Sequence, residues 1–415
     1  MSAQSKIHPN LASRMQVHAL AASTEPLRVI VKYRAGMLGV ASAVAGVTAT
    51  QYTYRLISAS AHSATREAIV ALSQRDDVEM IWYDEPVHTM LDESVPLIGA
   101  PSVWQAGVTG KGIKVGIVDT GIDPNHPDFA CRIVQMKDFT GQGPNDNHGH
   151  GTHVAGIIGG TGAASGGKYK GVAPECVYYT AKVLRGDGSG STSDVMAGVE
   201  WAVQQGAQVV NLSLGSDGAC DGTDALSVTC DAAMSKGAVM CIAAGNAGSG
   251  ASTVGSPGCA KSVITIGATS KTDQIADFSS RGPTSDNRIK PDVCFPGVGI
   301  ASCRASGTSM GTVVDSNYTR ASGTSMATPH AVGACALLLQ AKPSLTPQQI
   351  KDLLMSTAKN LNADPNAQGE GRAQVFFAYQ QSLGTLPTPT PTPTPTPPPQ
   401  GNGCLSLIKS LLGGQ

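Results

Sequence analysis

Charge is scarce in this chain of 415 residues: Asp, Glu, Lys and Arg make up 14%, against about 25% in an average soluble protein. The 29 basic and 30 acidic residues cancel to a net charge of −1. That balance excludes a protein held to nucleic acid or to an anionic membrane by its overall field. No apolar run approaches the ~18 residues of a membrane span, so no transmembrane segment is expected. Met1–Ala22 has Lys6, His8, Arg14 and His18 spread through it and no continuous apolar stretch, so it does not read as a secretory signal. Ten cysteines are too sparse for a small scaffold built on disulfides. What the chain has in excess is glycine, 49 residues, well above the usual ~7%. Its backbone must therefore turn tightly and often. At ~100–200 residues per domain the length allows two or three domains.

The chain divides by composition and pattern. Residues 1–25 read as an N-terminal extension. In 26–91, strand runs at Leu27–Tyr33, Tyr52–Ala59 and Val78–Tyr83 bracket helical spacing at Thr65–Gln74 and a Gly-weakened helix at Gly36–Gly46. The expected order is β-α-β-α-β, a small open sandwich. In 92–384, short apolar β-branched runs (KVGIVD, YTAKVL, AQVVNLSLG, AVMCIAAGN, SVITIGA) alternate with helical segments such as Ser193–Gln205 and Asp224–Ser235. Strands apolar on both faces predict a mainly parallel sheet with helices on either side, a three-layer α/β fold. Such sheets take ligands at the carboxyl ends of their strands. Thr346–Leu361 reads as a late helix with Thr346 as N-cap, Pro347 at N1 and Gln349 closing a capping box. Residues 385–400, TLPTPTPTPTPTPPPQ, form an extended proline-rich spacer. The short tail 401–415 is expected to be a frayed end or a truncated module.

Three segments sit where chemistry is expected. In Lys114–Asp123 (KVGIVDTGID) a strand ends at Asp119. In Asn147–Gly156 (NHGHGTHVAG) a glycine-flanked His150 enters a small-residue helix. In Ala321–Gly333 (ASGTSMATPHAVG) a glycine turn delivers Ser325 to a helix start. Acyl transfer needs these three residue types. A hydroxyl is a weak nucleophile at neutral pH and needs a base within reach. Imidazole titrates near working pH. A carboxylate fixes its tautomer and stabilises the imidazolium. A helix N-terminus offers N–H groups to the developing oxyanion.

With these motifs the chain resembles the subtilisin-like serine proteases, which share the order Asp…His…Ser. The resemblance implies a serine endopeptidase with Asp119 orienting, His150 as general base, Ser325 as nucleophile and Asn246 as the side-chain donor of the oxyanion hole. It also implies a substrate cleft between Gly188-Ser189-Gly190 and Ser213-Leu214-Gly215, where a peptide pairs as an added strand. The specificity pocket would be walled by Ala243, Ala244, Gly245 and Gly255. With Gly255 there and no acid in these motifs, the expected pocket is roomy and apolar, suited to large uncharged P1 residues. By the same resemblance, 26–91 is an inhibitory, ferredoxin-like α+β propeptide that also acts as an intramolecular chaperone. The chain is then a zymogen that cuts itself between Leu91 and Asp92, with Met90-Leu91 as second choice. Catalysis needs no cofactor. Structural calcium, common in the family, is an open expectation: Asp128 matches one frequent ligand, the Asn-rich ligand loop is missing, and Asp138, Asn145 and Asp146 are further candidates. Implied partners are protein or peptide substrates and the chain's own propeptide. A monomer is expected, and extracellular location, although no signal is seen.

Other readings remain beside these. A silent protease-fold scaffold or a cell-surface attachment protein is the alternative function, against which the intact Asp, His, Ser and Asn stand. His148, His150 and His153 invite a zinc reading, but their spacing is not HExxH and no acid in the motif completes a ligand set. His148 reads as a loop histidine and His153 as packed on its helix. RASGTSM occurs twice, at 304–310 and 320–326; only the second copy puts its serine at a helix start, so Ser309 is expected to be silent. Cys241 and Cys335 read as inert core thiols. Cys220, Cys230, Cys259, Cys294 and Cys303 lie in or near loops and are disulfide candidates whose pairing the sequence does not give.

Overall fold

The computed structural model describes residues 6–8, 11–12, 14–16, 24–34, 41–48, 50–54, 58–84 and 93–385. The chain forms two compact units, Met1–His88 and Thr89–Gln415. In the first, β1 (Leu27–Tyr33), β2 (Tyr52–Tyr54), β3 (Ala59–Ala64) and β4 (Val78–Tyr83) form one antiparallel sheet in the order β2-β3-β1-β4, with α1 (Arg66–Ser73) between β3 and β4. This is the strand order of a ferredoxin-like α+β unit. The run expected to be one strand, Tyr52–Ala59, is two: Tyr52 pairs with Ala61 and Tyr54 with Ala59, so the chain doubles back. Alternation alone does not mark a reversal when both arms alternate. Of the expected helix at Gly36–Gly46, Ala41–Ala43 is a single 3₁₀ turn and residues 35–40 lie outside the described ones. Alternate residues of β1 (Leu27, Val29, Val31, Tyr33) and the apolar face of α1 (Ile69, Leu72) make the core of this unit. Thr65 caps α1 by accepting from Ala68 N–H.

The second unit is built on a parallel sheet of seven strands: β5 (Lys114–Asp119), β6 (Ile133–Asp138), β7 (Val177–Lys182), β8 (Val209–Leu212), β9 (Val239–Ala243), β10 (Ile264–Thr269) and β11 (Val293–Pro296). Their order is β11-β10-β9-β8-β5-β7-β6. The chain lays β6 and β7 on one side of β5 and β8 to β11 on the other. The winding therefore reverses between β5 and β8, and a crevice opens there at the carboxyl ends. Helices cover both faces. α2 (His150–Gly159) and α5 (Thr324–Ala341) pack on one, with Val115 and Ile117 of β5. α3 (Thr192–Gln204) and α4 (Ala225–Ser235) pack on the other, with Val118. The period of two along β5 thus divides its side chains between two cores. A small antiparallel sheet of β12 (Ile300–Cys303), β13 (Thr312–Val313) and β14 (Tyr318–Ala321) leads into α5. α6 (Pro347–Ser356) has the expected capping box, Thr346 with Gln349, and ends sooner than expected, at Thr357.

Candidate active site

Asp119 is the last residue of β5 and is wholly buried. Its Oδ1 accepts from the Thr120 N–H and from His150 Nδ1, both at 2.7 Å. The bond to Nδ1 fixes the imidazole tautomer and leaves Nε2 for the cleft, where the side chain is 17% exposed. Burial opposes the imidazolium of His150, but the Asp119 charge and hydrogen bond, helped by Asp146, prevail and hold its pKa above the usual 6.5. His150 opens α2 behind Gly149, whose φ of +106° lies in the left-handed region that glycine enters without strain.

Asp146 organises this helix start, and motif reading assigned it no such role. Its Oδ1 accepts from Thr120 Oγ1 and from the N–H groups of His148 and Gly149; its Oδ2 accepts from the Thr152 N–H and Oγ1. A buried carboxylate so surrounded neutralises N–H groups that a helix N-terminus leaves unpaired. Beneath it, buried Lys182 donates to Thr120 O, Asn147 Oδ1 and Leu184 O. One ammonium thus joins the loops that carry Asp119, His150 and Gly188. The sequence signal for Asp146 was an acidic residue just ahead of a glycine-flanked helix start. Lys182 left none, because its partners lie in three separate segments.

Ser325 is the second residue of α5. Four residues on, Pro329 has no N–H to give back to the Ser325 carbonyl. That freed carbonyl accepts from Ser213 Oγ at 3.0 Å, while Ser325 Oγ donates to the Ser213 carbonyl at 3.0 Å. The reciprocal pair locks the helix start to the end of β8 and points the hydroxyl proton at the Ser213 carbonyl. Asn246 follows β9. Its Oδ1 accepts from the Thr324 N–H at 2.9 Å and Oγ1 at 3.1 Å. The amide is thereby oriented, with Nδ2 free to donate next to Ser325. Thr324 was not foreseen; it aims the asparagine.

Two cavities flank these groups. One, of about 690 Å³, is lined by His150, Leu184, Gly188, Ser189, Gly190, Val195, Ser213, Leu214, Gly215 and Leu226 among others. It brings the two expected edge segments to one groove. The other, of about 310 Å³, is lined by Leu214, Gly215, Ala243, Ala244, Gly245, Asn246, Gly255 and Ser325, and also by Ser216 and Asp217. Here two expectations change. A Cβ on Gly255 would lie 1.8 Å from the Ser216 carbonyl oxygen, so this glycine is needed for backbone contact rather than to widen the pocket. And an exposed carboxylate, Asp217, stands on the wall, just beyond the motif read as the edge strand. The Cys220–Cys259 disulfide ties the segment after Asp217 to the one after Ser256. Cys230, Cys294 and Cys303, offered as disulfide partners, are buried free thiols inside α4, β11 and β12.

A residue-family model described as "Subtilase family" (Peptidase_S8) matches residues 110–371. The chain belongs to the subtilase family. This subtilase is a serine endopeptidase, similar to "Serine protease AprX" of Bacillus subtilis (strain 168), 40% identical over 327 residues, 72% of this chain and 74% of the relative. It is also similar to "Subtilisin J" of Geobacillus stearothermophilus, 36% identical over 364 residues, 84% of this chain and 90% of the relative. Among solved structures it resembles a cold adapted subtilisin-like serine proteinase, 35% identical, with a TM-score of 0.52, covering 64% of this chain and 88% of that one.

The remaining candidates sort by their surroundings. His153 donates from Nε2 to Ile300 O at 3.0 Å, and burial with the nearby His150 pushes its pKa down to about 3; it is a neutral core residue. His148 lines the groove edge-on to His150, ring centroids 6.3 Å apart. Ser309 is exposed in a loop between β12 and β13. The carboxylates offered for calcium do not fit it. Asp128 accepts from Gly162 N, Ala164 N, the Tyr318 hydroxyl and the Cys303 thiol, and its other close neighbour of ligand type is His126. Asp138 is held by Thr140 and Gly143, Asp146 by the donors above, and Asn145 by a backbone bridge to Ile122. Calcium takes six to eight oxygens, whereas the oxygens of Asp128, Asp138 and Asp146 already face N–H, O–H and S–H donors.

Proposed function

We propose that this subtilase is a self-processing zymogen in which Asp119, His150 and Ser325 act as a triad and Asn246 completes the oxyanion hole. The observation that carries the reading is the 2.7 Å His150–Asp119 bond beside a serine held at a helix start next to an oriented Asn246. A peptide lies between Gly188–Gly190 and Ser213–Gly215 as an added strand. Ser325 rotates off the Ser213 carbonyl, gives its proton to His150 Nε2 and attacks the scissile carbonyl. Asn246 Nδ2 and the Ser325 N–H, unpaired at the second position of α5, receive the oxyanion. His150 returns the proton to the leaving amine, and a water repeats the sequence to free the acyl group.

Large uncharged P1 residues (Phe, Tyr, Leu, Met) are preferred, because Leu214, Ala243 and Ala244 wall the pocket. Asp217 narrows that preference without reversing it. An exposed ion pair is worth about 0.2–1 kcal/mol, a factor of about 1.4–5 in favour of Arg or Lys. The unit spanning 26–91 serves as chaperone and inhibitor and is released by cleavage at Leu91-Asp92, a bond outside the described residues. The Cys220–Cys259 disulfide supports an oxidising, extracellular setting. The substrates are proteins, bound by a monomer through main-chain pairing.

Intact mass and N-terminal sequence of the wild type against Ser325→Ala test this together. The wild type should lose its N-terminal unit and carry a fluorophosphonate label. Ser325→Ala should stay full length, unlabelled, with turnover down on the order of 10⁶. A wild type that stays full length while cleaving added peptides would refute the zymogen reading. Arg outranking every uncharged residue at P1 in a peptide library would refute the pocket reading.

A further inference from the structure

The first RASGTSM copy lies in a hairpin of its own, residues 304–317 between β12 and β14, and the chemistry above leaves it without a task. It is not a loose loop. The Arg304 guanidinium donates to the Thr308 carbonyl, and the Ser306 N–H donates to Asp123 Oδ2 at 2.9 Å. Thr319 Oγ1 donates to the Met310 carbonyl at 2.8 Å, and β13 pairs with β14. Thr308 is buried. The hairpin is seated on the turn that follows Asp119 and on the residue before His150. A Cβ on Gly149 would stand 2.8 Å from Thr308 Oγ1 and 3.2 Å from Met310 Cβ.

On the triad reading, the groove between Gly188–Gly190 and Ser213–Gly215 holds the residues before the cut, and no residue of 304–317 lines either of the two cavities there. The leaving amine takes its proton from His150 Nε2. The first residues after the cut must therefore stand against the other side of that imidazole, where Gly149 is backed by Thr308 and Met310. From Ala305 to Val314 the hairpin has no charged residue. It offers the half-buried Met310 and, at its tip, Val313 and Val314, which are 50% and 40% exposed.

We propose that this hairpin is the specificity wall for the leaving-group half of the substrate, with Met310 selecting an uncharged, apolar residue just after the scissile bond. The inference rests on the triad reading, since only that reading says which side of His150 the leaving group occupies. A thioether is flexible and polarizable and makes a tolerant apolar surface. A charged side chain laid on it would lose hydration, and no residue from Ala305 to Val314 carries a charge to pair with it.

The test uses the processed wild type, Met310→Glu and Met310→Ala. Each is given two peptides that differ only by Leu or Lys directly after the cut, and a p-nitroanilide of the same preceding sequence as the reference rate. The wild type should favour Leu by about 10-fold or more in kcat/KM. Met310→Glu should move that ratio toward Lys by at least about 10-fold, and Met310→Ala should flatten it. A Leu-to-Lys ratio that changes less than two-fold in both variants, while both still cleave the p-nitroanilide, overturns the proposal. A wild type that turns over neither peptide nor p-nitroanilide sinks the triad reading and this inference with it.

Discussion

Replacing Asp146 by Asn should damage both stability and the pH profile, although Asp146 touches no reacting atom. The substitution keeps shape and removes charge. The native carboxylate accepts from Thr120 Oγ1, His148 N and Gly149 N on one oxygen and from Thr152 N and Oγ1 on the other. An amide can keep its oxygen toward the first three donors, but its NH₂ then faces the Thr152 N–H. One buried N–H loses its partner, at about 1–3 kcal/mol, and three bonds fall from charged to neutral strength, at very roughly 0.5–1 kcal/mol each. The sum, about 2.5–6 kcal/mol, brackets the roughly 3–5 kcal/mol that breaking a buried charge pair usually costs. Unfolding should be compared in a Ser325→Ala background, where self-digestion does not interfere. A fall in Tm on the order of 6–10 °C is expected. In the active background the Asp146 charge no longer supports the His150 imidazolium, so the acid limb of kcat/KM should move to lower pH. The reasoning is refuted if Tm stays within about 2 °C and the acid limb does not move.

Three further expectations follow from the same geometry. His150 must be neutral to accept a proton, and its pKa is held above 6.5; activity should therefore rise with pH through an acid limb in kcat/KM whose midpoint lies above 6.5, and a midpoint at or below it would mean that the Asp119 pair does not form in solution. Asn246→Ala should lose about 10²–10³ in kcat with little change in KM; equal loss in a variant that keeps an amide there, Asn246→Gln, would show that the Thr324 bonds set its aim, whereas an unaffected Asn246→Ala would remove Asn246 from the oxyanion hole. The double variant Cys220→Ser, Cys259→Ser opens a loop of 39 residues; it should lose on the order of 3–4 kcal/mol and raise KM for large P1 residues, and unfolding curves that superimpose on those of the parent would exclude a structural role for the bridge.

The groups that could be placed from sequence were those whose chemistry is local. Asp119 ends an apolar run, His150 follows a glycine into a helix and Ser325 opens one, so strand ends and helix starts gave their places directly. Thr346 and Gln349 formed the predicted capping box for the same reason. What stayed hidden depends on segments far apart in the chain. Lys182 has partners in three loops, Asp217 lies two residues past the edge motif yet shares a cavity wall with Ala243, and Gly255 is dictated by the Ser216 carbonyl. Cys220 pairs with Cys259 because the fold brings their two loop segments together, Cα atoms 6.0 Å apart, whereas Cys230, Cys294 and Cys303 sit inside α4, β11 and β12. In the first unit, the run from Tyr52 alternates on both sides of its reversal, so period alone counted one strand where there are two.

The one-sided placement of the chemistry has a consequence for how the molecule can be rebuilt. Asp119 ends β5, and Ser213 and Asn246 follow the carboxyl ends of β8 and β9. The turns that enter β5 and β9 hold Gly112 and Gly237, both exposed, and a Cβ added at either meets nothing within 4 Å. Between Gly112 and Asp119 lies the whole of a six-residue strand, about 20 Å of rigid backbone. Exposed turns of this kind are where chains accept new termini and inserted sequence. An affinity tag, a fluorescent reporter or a joined binding module grafted at these turns would ride on the far end of the sheet, leaving the groove and its hydrogen-bonded loops undisturbed.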